Sequence, residues 1–91
     1  MRSVISGGTT FRLRTPLRVT LAREGGAWSC EAQEISVLSF GASRESALES
    51  FSEDFLTMWE VIGRSPDERL TPGALRVKQR LHDLVESVTE G

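Results

Sequence analysis

The stretch SFGASRESALESF, residues 39–51, changes the spacing of apolar residues from every second position to every third or fourth. Alternation marks a strand with one buried face, and three-to-four spacing marks a helix with one buried stripe. A chain with this joint must fold a helix back onto a sheet. The fold expected is therefore α+β: an antiparallel sheet of three to four strands covered on one face by a helix. A second, C-terminal helix follows, giving the order β-β-β-α-α.

Upstream of the joint, Phe11, Leu13, Leu17, Val19 and Leu21 alternate with Arg12, Arg14, Arg18 and Thr20, which predicts a half-buried strand over Phe11 to Ala22. Pro16 cannot donate to a ladder, so this strand should bend there or lie at an edge, its arginines guarding the open side. Glu24-Gly25-Gly26 reads as a tight hairpin turn. The returning strand puts Trp28, Cys30 and Ala32 inward and Ser29, Glu31 and Gln33 outward. In EISVLSFG the pair Ile35 and Val37 is out of phase with Leu38 and Phe40, and a bulge around Ser36 to Leu38 is expected to carry both pairs into the core.

Gly41 frees the backbone before the helix, and Ser43 suits its N-cap. The stripe Ala47, Leu48, Phe51, Phe55, Met58, Trp59 and Ile62 is wide enough to roof the sheet, and Gly63 ends it. A second helix is predicted over residues 71–89. It opens at Thr71 with Pro72 at its first position and carries Ala74, Val77, Leu81, Leu84, Val85 and Val88 on its apolar side. Two such stripes exceed what one small sheet can cover, so a homodimer or larger homo-oligomer is expected.

With 91 residues the chain forms one domain, and 38% hydrophobic with 26% charged residues places it among ordinary globular proteins rather than membrane or disordered ones. Its start, MRSVISGGTT, lacks the apolar core of a secretory signal, and residues 1–8 read as a flexible tail. Cys30 stands alone, which excludes an intrachain disulfide and fits a cytoplasmic protein. Charge is divided. Residues 1–24 carry five arginines against one glutamate, net +4, whereas residues 43–62 carry one arginine against five carboxylates, net −4. Such a dipole favours a charged partner or self-association over generic nucleic-acid binding, for which the whole domain would be basic.

Catalytic chemistry has little to work with. Glu31 and Glu34 are the only carboxylates on the predicted strand segments, too few for a two-metal nuclease centre. No serine has a histidine partner visible in sequence, and His82 with Glu86 supplies only two ligands at helical spacing. No enzyme activity, cofactor or metal is expected. The surface feature left is Arg12, Arg14 and Arg18 on one strand face, a positive strip that suits phosphate or an acidic protein surface, or that simply keeps an edge strand soluble. No exposed aromatic is interleaved to stack on bases, so nucleic-acid binding ranks low.

From Leu17 to Ile62 the pieces resemble the HicB-like antitoxin family. LRVTLAREGGAW is similar to that family's first hairpin, with Trp28 opening the second strand, and Glu34-Ile35 resembles the acidic-leucine pair that follows. Gly41, Ser43, Glu45, Ala47 and Leu48 resemble its glycine, hydroxylated cap and Glu-x-Ala-Leu helix start. The resemblance implies a partial ribonuclease-H-like layer and a non-catalytic, protein-binding role, masking the RNA-cleaving surface of a small HicA-like toxin. Many members append a DNA-binding segment. Here only one further helix, LTPGALRVKQRLHDLVESV, is expected after residue 62, like the tail of short, solitary members, and Gln33 stands where proline is common. A solitary structural or regulatory role is the alternative that the same resemblance allows.

Overall fold

The computed structural model describes all 91 residues. It contains two helices and two antiparallel sheets of three strands each, in place of the single sheet expected. One sheet has the order β1-β2-β6, from Ser3–Ser6, Thr9–Leu13 and Val85–Glu90. The other has the order β3-β4-β5, from Thr20–Glu24, Ala27–Ala32 and Val37–Gly41. Along the chain the order is five strands, helix α1 at Arg44–Met58, helix α2 at Pro72–Leu84, and the sixth strand. This α+β arrangement replaces the expected β-β-β-α-α order.

Pro16 explains the first correction. The strand expected over residues 11–22 is two strands in different sheets, because the segment around Pro16 leaves the ladder where its N–H is missing. Leu17 within that crossing is buried, and its N–H donates to the Met1 carbonyl at 2.7 Å. A consequence is that β2, expected at an edge, is the middle strand of its sheet, paired to β1 on one side and β6 on the other.

The second correction concerns the first eight residues. Rather than a free tail, Ser3–Ser6 form β1, which turns through Gly7-Gly8 and buries Val4 beside Phe11. The third lies at the other end. Helix α2 stops at Leu84, and Val85–Glu90 extend along β2. Valine and threonine at 85, 88 and 89 lose little as a strand, and pairing with β2 supplies the hydrogen bonds that a longer helix would have made.

In the second sheet the hairpin turns as expected, with Gly25 and Gly26 at φ 55° and 85°. Beyond β4, a 3₁₀ turn at Gln33–Ile35 ends on Ser36 in the left-handed region, φ 56°. That turn resets the phase so that Ile35 and Val37 are both buried. It does not rescue the second pair. From Val37 onward strict alternation turns Ser39 inward and leaves Leu38 and Phe40 51% and 61% exposed on the outer face. The buried Ser39 hydroxyl donates to an Asp54 carboxylate oxygen of α1 at 2.5 Å.

Helix α1 serves both sheets. Ser43 caps it, accepting from the Ser46 amide at 3.1 Å, while the Ser46 hydroxyl accepts from the Ser43 amide at 2.9 Å. Ala47, Phe51 and Phe55 are wholly buried, and the Phe55 ring meets Phe11 of β2 edge-on with centroids 5.0 Å apart. The helix ends in a π turn at Trp59–Gly63, closed by Arg64 N–H donating to the Trp59 carbonyl at 2.9 Å. Helix α2 docks on this turn rather than on a sheet. Leu81 is buried there, the His82 and Trp59 rings lie 4.9 Å apart, and His82 Nε2 is hydrogen-bonded to the Gly63 carbonyl at 2.7 Å. No helix is long and apolar enough to cross a membrane.

Candidate functional site

Antiparallel register decides which side chains share a face, and it separates the three arginines singled out in the sequence. Arg12 lies at the middle of the β1-β2-β6 sheet, opposite Ser3 on one neighbour and Ser87 on the other. Thr10 and Thr89 form the next pair on the same outer face. Arg14 follows just beyond β2, its N–H donating to the Leu84 carbonyl at 2.8 Å. Arg2, which the sequence reading passed over, precedes β1 and accepts the Leu13 N–H at 3.1 Å through its carbonyl. Arg2, Arg12 and Arg14 thus border one open cleft of about 550 Å³, lined otherwise by hydroxyls, Pro16 and Leu13, with no carboxylate in its wall.

Arg18 is elsewhere. It borders a second cleft, of about 510 Å³, with Thr20, Gln33, Glu31 and Glu34. There its charge faces two carboxylates, so the three arginines do not make one strip. The physical reason is again Pro16: the crossing between sheets carries Arg18 off the face that holds Arg12 and Arg14.

A different surface forms where β5 meets the C-terminal half of α1. Strand β5 is at the edge of its sheet, hydrogen-bonded to β4 on one side only. Beside it runs a groove of about 320 Å³ whose apolar lining is Val37, Leu38, Met58, Val61 and Ile62. Val61 is 61% exposed, and Asp54 with Thr57 adds a polar rim. Of the five exposed carboxylates on α1 and the π turn (Glu45, Glu49, Glu53, Asp54 and Glu60, against the single cation Arg44), Asp54 lines the groove itself. The surface therefore combines an unpaired strand edge, an apolar trough and negative charge.

Sequence reasoning missed this groove because it assigned Leu38, Met58 and Ile62 to the core. The signal was present nonetheless: Leu38 and Phe40 are out of phase with Ile35 and Val37, and a strand buries only one of two opposite phases.

The other chemistry-bearing side chains are engaged in structure. Cys30 is wholly buried between Leu21 and Ser39, its partners in register, and desolvation pushes its thiol pKa up. His82 is tied to Gly63, and Glu86 lies past the end of α2 in β6, so the two do not share a helical face. No three His, Cys, Asp or Glu side chains converge as metal ligands. Neither protein-family models, nor curated proteins, nor solved structures gave a match to this chain.

Proposed function

We propose that this chain is a non-catalytic protein-binding module of the HicB-like kind, an antitoxin that works in the cytoplasm by covering the RNA-cleaving surface of a small basic ribonuclease. The observation that carries the proposal is the groove between edge strand β5 and the end of α1. An extended segment from a partner can add to β5, satisfying the unpaired backbone groups while alternate side chains enter the trough beside Leu38 and Val61. The carboxylates of α1 favour a basic partner and speed its approach. The likeness of Gly41, Ser43, Glu45, Ala47 and Leu48 to the HicB-like helix start adds the direction toward an antitoxin. Masking needs contact area and complementary charge, with no reacting group of its own.

The test is co-expression with the small protein encoded in the adjacent reading frame. A complex should co-purify and abolish RNA cleavage by the partner. Leu38→Asp combined with Val61→Asp should release the partner and restore cleavage, while Arg12→Ala should not. A complex that survives the double substitution unchanged overturns the assignment of the groove, and absence of any complex overturns the antitoxin role. If the chain instead forms a dimer that the same substitutions dissolve, the groove is a self-interface and the partner proposal fails.

A further inference from the structure

The arginines on the β1-β2-β6 sheet have no structural task that accounts for them. Arg12 was expected to protect an edge, yet its strand is the middle one, with ladders on both sides. It forms no ion pair: the only one within 4.0 Å in the chain joins Lys78 to Asp67, at 2.6 Å. Its cross-strand neighbours are Ser3 and Ser87, so neither adjacent strand sets a carboxylate directly opposite it to form a stabilising cross-strand pair. Arg2 and Arg14 share the cleft, and both are held by backbone hydrogen bonds, to Leu13 and Leu84. Three arginines thus border one concavity with hydroxyl-bearing residues between them and no carboxylate in its lining.

We propose that this cleft binds a small molecule with two adjacent phosphoryl groups, Arg12 gripping it at the centre and Arg2 and Arg14 at its sides. Guanidinium presents a planar fork of N–H donors that matches phosphate oxygens in pairs. One phosphate monoester carries about −1.5 to −2 at neutral pH, so three arginines over-match a single phosphate and suit a diphosphate. A volume of about 550 Å³ is in the range of small-molecule sites, and a lining of arginines, serines and threonines, with Leu13 and Pro16 the exceptions, suits a polar ligand. A nucleic-acid strand fits less well. No aromatic lines the cleft to stack on a base, and the chain's net charge of −2 gives no long-range attraction for a polyanion.

The full-length chain is titrated calorimetrically with inorganic pyrophosphate, ADP and orthophosphate, and with a short RNA duplex as competitor. Pyrophosphate and ADP should bind about ten-fold or more tighter than orthophosphate, a step worth one charge-assisted contact. Their relative order distinguishes a free diphosphate from a nucleotide, and either order supports the class. Arg12→Ala should weaken binding about ten-fold or more, Arg12→Lys several-fold through loss of the fork, and Arg18→Ala less than about two-fold. Should Arg12→Ala fail to fold by circular dichroism, the Arg2→Ala/Arg14→Ala double variant should show the same loss. No heat from either diphosphate at millimolar concentration, equal loss in Arg18→Ala, or tighter Arg12-dependent binding of the duplex would each overturn the proposal.

Discussion

A methyl group at Gly41 would overlap the Ala47 amide nitrogen and sit 2.6 Å from the Ser46 carbonyl carbon. Glycine is therefore required at this joint for close approach of strand and helix, and not for a left-handed backbone, which Gly41 does not adopt. Both contacts are to backbone, which cannot swing aside. Gly41→Ala should destabilise the fold by about 1–3 kcal/mol or more, read as a lowered urea midpoint. Phe51→Ala, removing a wholly buried ring, should cost about 3–5 kcal/mol in the same measurement. Cys30 gives a test of opposite kind. Its thiol ionises less readily in the folded chain than its ordinary value of 9.0, because burial disfavours the thiolate. The folded state then holds its proton longer than the unfolded one. Its contribution to stability is full below the unfolded pKa and is lost as pH rises through the folded one. Alkylation by iodoacetamide at neutral pH should be slow in buffer and rapid in denaturant, and Cys30→Ser should flatten the alkaline end of the stability profile.

At the scale of elements, local signals were legible and pairings were not. The β3-β4 hairpin, the Ser43 cap and the buried positions Ala47, Phe51 and Phe55 follow from glycines, a hydroxyl and helical spacing, and each depends on neighbours a few residues away. The sixth strand does not. Val85 and Val88 continue the apolar spacing of α2 by chance, and only β2, more than seventy residues earlier, decides that this segment extends. Likewise the arginine cleft was half visible: Arg12 and Arg14 were readable from alternation, whereas Arg2 and the flanking serines join them only through register. Hydrogen exchange checks this directly. Amides of Arg12, Leu13 and the β6 residues that pair with them should be protected as one cooperative unit, and a Pro at Ser87 should speed exchange in β6 and β2 while leaving the β3-β4-β5 sheet slow.

Taken whole, the molecule is two small sheets that share one helix, with Phe11 and Phe55 in contact where β2 meets α1. The reason first given for self-association, two helix stripes competing for one sheet, no longer applies, because α2 buries Leu81 against the π turn. The large hydrophobics that stay exposed are Ile5 and Val88 on one sheet, Leu38 and Phe40 on the other, and Val61 on the π turn. The Leu38–Val61 surface has a free strand edge, an apolar trough and the Asp54 carboxylate together, which is why the proposed docking site lies there. The most direct measurement is backbone-amide exchange of the chain alone and in complex with the adjacent-frame protein. The account predicts that Val37–Gly41 and residues 58–62 become protected on binding while Arg12 and its sheet neighbours do not change. Protection confined to the β1-β2-β6 face, with β5 exchanging as in the free chain, would contradict it.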